Sequence, residues 1–284
     1  KSAADTQGLY VEGAGGNRLQ QSEAARYGGS LAPGVQFRVY GKYLDDSDEQ
    51  FADGADASDS WHRAQGGFRV DSAISARDAW TVQGDAYTGH ENMSTGRAAN
   101  TGGGNVLGRW SRSSPDGSST TLQSYLDRTH LSDPVPAFAV GAVVLAPPGF
   151  LVDDLTTYDV DFQHSFHPGA FNRVVWGLGY RHTHDVVQSA PALAFSPPVL
   201  DQDLYSAFLQ DEIALRSDLT FTVGSKLEHN DFTGFEFEPN VRLLWSLDAN
   251  QTLWGAISRA VRTPSRIDRD FAQPAPPHLV ILEG

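Results

Sequence analysis

The feature that most constrains this chain is a two-residue hydrophobic alternation recurring in stretches of roughly nine to thirteen residues, with helical spacing hard to find. The clearest stretch is Thr157 to Phe166. There Tyr158, Val160, Phe162, His164 and Phe166 share one face, and Thr157, Asp159, Asp161, Gln163 and Ser165 share the other. Side chains of a strand point alternately to its two sides, so this segment reads as a strand with one apolar, aromatic face and one polar face. Arg173 to His182 repeats it, with Val174, Trp176, Leu178 and Tyr180 opposite Arg173, Gly177, Gly179 and Arg181. Leu219 to His229 and Phe237 to Leu247 follow the same rule. Val35 to Tyr43, His62 to Asp71, Ala79 to Thr88, Asn105 to Arg112 and Thr120 to Thr129 carry it with smaller apolar residues. Leu9 to Gly15, Ser22 to Leu31, Asp203 to Leu215 and Gln251 to Arg262 carry it more weakly, which makes about thirteen strands by period alone.

The connections are sorted by parity. Those after every second strand are short and built from turn residues, as in Ala32-Pro33-Gly34, His167-Pro168-Gly169 and Arg216-Ser217-Asp218. Those between are long: Asp45 to Ser60, His90 to Gly103, Leu131 to Thr156 and Val186 to Gln202. Only the connections near Asn17 and Thr233 are short on the long side. In an up-and-down antiparallel barrel every second connection lies on the same rim, and outer-membrane barrels carry short turns at one rim and long loops at the other. A soluble sandwich has no reason to sort loops this way, and a propeller or β-helix would show a fixed repeat length. The expected fold class is therefore all-β: a transmembrane antiparallel up-and-down β-barrel.

Composition fits this reading. The chain has 284 residues, a net charge of −14, 40% hydrophobic residues and no cysteine. That is too apolar for a disordered chain, too acidic for a nucleic-acid partner, and without thiolates for a disulfide scaffold or metal site. The longest uncharged stretch, Pro134 to Val152, is interrupted by Pro134, Pro136, Pro147 and Pro148 and is read as an apolar loop insertion rather than a helix. Single-chain bacterial barrels close with even strand numbers. At about 21 residues per strand a 22-stranded barrel needs on the order of 460 residues, so the chain is expected to be part of one.

Particular residues then carry a family resemblance. The run Tyr205-Ser206-Ala207-Phe208-Leu209-Gln210-Asp211-Glu212, followed by Leu219 to Glu228, resembles the mid-barrel hairpin of TonB-dependent outer-membrane receptors. Trp254 to Ser265 is similar to the strand of that family that ends in an Arg-x-Pro element, here Arg262-Thr263-Pro264. Leu279 to Gly284 looks like the approach to a further strand, and Lys1 to Gly8 resembles the exit from the plug domain into the barrel. The resemblance implies residues 1–7 as the end of a plug or linker and residues 8–284 as about 13 strands of a 22-stranded barrel. It implies a non-enzymatic importer in the outer membrane of a Gram-negative bacterium, in contact with outer-membrane lipids. Its partners would be a small-molecule ligand such as a ferric siderophore, haem or cobalamin, and the TonB complex, engaged through a plug and box outside this sequence.

Candidate sites are few. The loop Asp45 to Ser60 holds seven carboxylates, Asp45, Asp46, Asp48, Glu49, Asp53, Asp56 and Asp59. Such a cluster suits Ca²⁺, but the spacing is not that of an EF-hand, and a solvated loop is the simpler reading. His182 and His184 share a strand face, where His182 extends the apolar row and reads as an interfacial position rather than a metal ligand. Trp61, Trp80, Trp110, Trp176 and Trp245 read as lipid-interface anchors. Arg173, Asp159, Asp161 and Arg242 are expected to face the lumen. No catalytic motif is present: Gly102-Gly103-Gly104-Asn105 is Gly-rich, but is read as closing a loop before a strand, with no helix behind it. Catalytic and metal residues are thus expected to be none, and ligand-binding residues are not identified. Two other readings stay open at this point, a plugless outer-membrane channel and a soluble or surface β-structured adhesin.

Overall fold

The computed structural model describes residues 1–93, 95–275 and 279–283. After a short 3₁₀ turn at Ala4–Thr6, the chain runs through β1 (Gly8–Ala14), β2 (Leu19–Ala32), β3 (Val35–Asp46), β4 (Trp61–Ala73), β5 (Asp78–Asn92) and β6 (Ala98–Ser113). It continues through β7 (Ser119–Val135), a small hairpin β8 (Phe138–Val140) and β9 (Val143–Ala146), β10 (Gly149–Phe166), β11 (Asn172–Gln188) and β12 (Ala194–Phe195). Last come β13 (Val199–Arg216), β14 (Leu219–Asn230), β15 (Gly234–Ser246), β16 (Thr252–Ser258), the one-turn helix α1 (Arg266–Arg269), β17 (Phe271–Ala275) and β18 (Leu279–Glu283). Thirteen of these strands form one sheet in the order β1-β2-β3-β4-β5-β6-β7-β10-β11-β13-β14-β15-β16. Every neighbouring pair is antiparallel, as in the β10–β7 ladder from Gly149↔Val135 to Ser165↔Ser119. The sheet is the wall of a barrel that does not close within this chain, with β1 and β16 as its two edges.

The wall is inside-out relative to a water-soluble protein. No large side chain among the described residues is fully buried, and the buried polar residues include Thr157, Asp159, Ser165, Thr222 and Glu228. Asp159 is 4% exposed, whereas its neighbour Tyr158 is 51% and Leu178 53% exposed. The alternation read from the sequence therefore sorts polar residues to the concave side and apolar residues to the convex side. In hydrocarbon only a structure with all its backbone groups paired survives, and a continuous antiparallel ladder supplies that pairing.

Turns and rims follow the expected parity. Between β2 and β3 the chain reverses through Pro33 and Gly34, and Gly34 adopts the left-handed φ of 76° that a side chain would strain. Trp110 and Trp245 stand near this short-turn rim on the outward face, and their indole N–H groups donate to the turn carboxylates Asp78 (3.2 Å) and Asp218 (3.0 Å). That is how an interfacial tryptophan keeps its ring in lipid and its polar edge in water. Tyr158, Tyr180 and Tyr205 mark the opposite edge of the apolar band.

The long loops are shorter than the sequence reading gave, because strands run on into them. The spans outside the thirteen wall strands on this rim are residues 47–60, 93–97, 136–148 and 189–198. β10 has eighteen residues. At about 3.3 Å per residue and a tilt near 40° it stands roughly 43 Å tall against an apolar band of about 25 Å, so its upper part projects beyond the membrane. Gly102, Gly103, Gly104 and Asn105 accordingly lie inside β6 rather than in a loop. A Cβ at Gly103 would sit 2.7 Å from the Arg128 carbonyl and 2.9 Å from the Tyr87 ring. The uncharged stretch from Pro134 to Val152 is not one loop: it ends β7, forms the β8–β9 hairpin and begins β10. The last wall strand stops at Ser258 rather than Arg262, and β18 pairs with β17 in a separate three-stranded sheet with β12, not with the wall. Gly284 lies outside the described residues.

Candidate functional site

The inward face is a ladder of paired charges and amides. On β3, β4 and β5 the Tyr40 hydroxyl donates to Asp85, and Gln65 Nε2 donates to Tyr40 at 3.0 Å. Arg69 holds Asp71 through Nε at 2.8 Å and reaches Gln83 at 2.8 Å. Asp71 also accepts from Thr81 Oγ1 and from the backbone N–H of Ala3, each at 2.7 Å, which ties the N-terminal turn to the wall. That approach requires Gly28, because a Cβ there would lie 2.2 Å from the Thr6 carbonyl oxygen. Further round, Arg181 Nε donates to Asp159 at 2.9 Å and Lys226 pairs with Glu228. Arg173 and Arg242 keep the same inward parity, Arg242 lying opposite the buried Thr222.

Above the apolar band, on the long-loop side, the segment after β16 folds back against the wall. Ser265 caps α1 in a reciprocal capping box with Asp268, and Arg262 reaches the same Asp268 at 3.0 Å. Arg266 then enters the wall itself. Its guanidinium lies 2.8 Å from Asp185 and 3.2 Å from Asp270, donates to the Pro197 carbonyl, and covers the Phe195 ring at 5.4 Å. Arg266 and Asp185 side chains are each 10% exposed, so this is a buried ion pair. Arg269 stacks on Phe232 at 4.5 Å, and Phe195 meets Phe271 at 6.0 Å. Beside them a cavity of about 320 Å³ is lined by Leu155, Arg181, Thr183, Gln202 and Phe232 together with Arg266.

Asp153 is the second carboxylate of this cluster. It lies beyond Tyr158, outside the membrane-spanning part of β10. Burial, then the neighbouring Asp185 carboxyl, push its pKa up to about 6. One oxygen of each of these two aspartates is buried without a hydrogen-bond partner. A proton held by Asp153 relieves the repulsion between the two carboxyls, and it is lost as pH rises through about 6.

The residues singled out from sequence are dispersed. In the acidic loop the carboxylates bind their own backbone: Asp59 accepts from Glu49 N–H and Asp48 from Ser60 N–H at 2.7 Å each, while Asp53 caps Ala55 at 3.0 Å. Glu49 pairs with Arg18. His182 and His184 do share the outward face, and β13 brings carboxylates to them, with His184 Nδ1 2.6 Å from Asp201 and His182 Nδ1 2.9 Å from Asp203. Among the described residues no group of three His, Asp or Glu is placed to hold a metal ion. Trp80, Trp110, Trp176 and Trp245 stand on the outward face, but Trp61 follows the inward parity of Arg63 and Gln65 at the upper end of β4. Sequence reasoning found Arg262 through its Arg-x-Pro element and missed Arg266, Asp185 and Asp153. The Ser265-x-x-Asp268 capping signature was the one available sign that a structured element follows β16.

The comparisons with known proteins agree with this geometry. The family model for the β-barrel of TonB-dependent receptor-like proteins matches residues 6–278. The chain belongs to the TonB-dependent receptor family. Its wall is therefore that of a barrel in the outer membrane of a Gram-negative bacterium, and the family and fold are those of transport receptors rather than enzymes. A 60-residue stretch is 35% identical to an iron-regulated outer membrane virulence protein of Vibrio cholerae, covering 21% of this chain and 9% of that protein. A solved mutant of the ferric enterobactin receptor PfeA from Pseudomonas aeruginosa has the same fold, with a TM-score of 0.72 at 13% identity over 90% of this chain and 43% of that one. The siderophore receptor PirA from Acinetobacter baumannii gives a TM-score of 0.69 at 13% identity, over 96% of this chain and 44% of that one. The chain thus spans less than half the length of these solved receptors.

Proposed function

We propose that this chain is part of the wall of an outer-membrane receptor that imports a ferric siderophore through its lumen, driven by the TonB complex of the inner membrane. The observation that carries the reading is the inward ladder of fixed, paired polar groups set in a wall whose outside is apolar. Such a wall provides a wetted path with defined hydrogen-bond partners. The match to the receptor family and the likeness to siderophore receptors support the cargo. Residues 1–7, tied to Asp71 at the short-turn rim, are the natural point of entry for a plug. Uptake of radiolabelled iron by cells carrying the intact gene, offered as catecholate, hydroxamate or carboxylate chelates, tests it. Uptake of one class that disappears without the TonB complex is expected. Uptake of none, or uptake unaffected by loss of that complex, contradicts the reading.

A further inference from the structure

The segment after β16 lies on the lumenal side of the wall, not around its outside. The cavity of about 320 Å³ beside it is bounded on one side by Thr183, Gln202 and Leu204, all of inward parity, and on the other by residues 263–266. Ser258, the last residue of β16, pairs with Asn240 of β15, yet Arg266 meets Asp185 on β11, four strands back in the sheet. The segment therefore crosses the upper ends of β13, β14 and β15 on their concave side, over the mouth of the lumen.

Two sets of contacts hold it, with a looser length between them. At the β16 end the Arg259 backbone N–H donates to the Pro239 carbonyl at 3.0 Å, and its guanidinium to Glu236 at 3.0 Å. At the far end Arg266 sits between Asp185, Asp270 and the Pro197 carbonyl, and Arg269 lies over Phe232. There the Ser196 N–H also donates to the Asp270 carbonyl at 2.9 Å, and β12 pairs with β17 through Ala194↔Ala272 and Phe195↔Phe271. Between the two sets, residues 260–264 make no backbone hydrogen bond among the described residues. Arg262, on this length, is 83% exposed and pairs with Asp268 of the segment itself, so the hold on the wall passes to Arg266. A buried pair such as Arg266 with Asp185 suits a latch, because losing either partner leaves a charge in the dry that draws in water and opens the contact. We propose that residues 259–271 are a strap that closes this side of the lumen mouth when Arg266 is latched on Asp185, and that swings on residues 260–264 to admit cargo. The proposal rests on the import reading above. A strap of this kind lowers apparent affinity in proportion to the closed population, so Arg266 opposes binding and its loss tightens it, the reverse of what a cargo-contacting arginine does.

The test uses the intact receptor in outer membranes and reads the strap in two ways. Thr183→Cys places a thiol in the covered cavity, where a water-soluble maleimide should label it slowly, and at least about tenfold faster when Arg266→Ala is added. Phe195→Cys with Phe271→Cys joins cross-strand partners, whose spacing in an antiparallel pair suits a disulfide. Uptake of radiolabelled iron is then measured with tris-catecholate, tris-hydroxamate and citrate chelates in turn. The oxidised pair should lose uptake about tenfold or more and regain it on reduction, while each single cysteine variant transports normally, and Arg266→Ala should bind the transported chelate about tenfold more tightly than the wild type. A heat-modifiable gel shift establishes that each variant is folded. Thr183→Cys labelled equally fast with and without Arg266 overturns the proposal, as does uptake undiminished by the disulfide or weaker binding by Arg266→Ala. If the reduced receptor takes up none of the chelates, the import reading fails instead, and the labelling rates still decide whether the strap opens.

Discussion

One residue's side of a strand decides what surrounds it. Phe162 and Gln163 are neighbours in β10, yet Phe162 faces hydrocarbon beside Leu178 and Gln163 lines the inner wall. Arginine at Phe162 or at Leu178 is expected to cost about 2–4 kcal/mol near the bilayer midplane, whereas Gln163→Arg, one position along, should cost well under half as much. Urea unfolding of the receptor in lipid vesicles measures both. Asp153 makes a different prediction. Its raised pKa means the folded wall holds a proton that the unfolded chain releases between the ordinary carboxylate range and about 6. The folded state is therefore favoured at low pH, and stability around Asp153 falls as pH rises through that window. Asp153→Asn should remove the dependence. Urea unfolding of the receptor in lipid vesicles at pH 5 and pH 7.5 reads it out: the wild type should lose more stability between the two than the variant does.

Strands and the segments joining them were unequally legible. Thirteen wall strands follow from period and from the parity of connection lengths, because a strand with one face in lipid must be apolar at every second position. The extensions of β6, β7, β10 and β11 beyond the bilayer have no such constraint. There the outward residues include Gly102, His130, Asp154 and His184, and nothing in the period separates such a strand from a loop. Trp61 was misread for the same reason: above the apolar band an aromatic residue has no lipid to face, and parity alone places it. The docked segment after β16 was illegible in another way, since Asp153, Asp185 and Arg266 are far apart in sequence and only the fold joins them. Arg266→Ala should leave Asp185 buried without its partner and lower the local opening free energy of residues 259–271 by about 3–5 kcal/mol. Limited proteolysis should then cut that segment first, while the wall stays resistant.

At the scale of the molecule the account rests on one claim, that the wall is inside-out. The net charge of −14 and the moderate hydrophobicity, ambiguous as totals, are explained once charge is assigned to the lumen and loops and apolar residues to the lipid side. The open edges at β1 and β16 agree with a chain that spans less than half of its solved relatives. These 284 residues contain no cysteine, so a single one introduced here is the only thiol in this part of the wall. The most direct measurement is a cysteine scan from Thr157 to Phe166 in the intact receptor, in outer-membrane vesicles, with a water-soluble thiol reagent. The account predicts labelling at the open inward positions 161 and 163, protection at 158, 160, 162, 164 and 166, and slow labelling at 157, 159 and 165, whose side chains are packed within the lumenal ladder. Uniform labelling, or the opposite alternation, would contradict it.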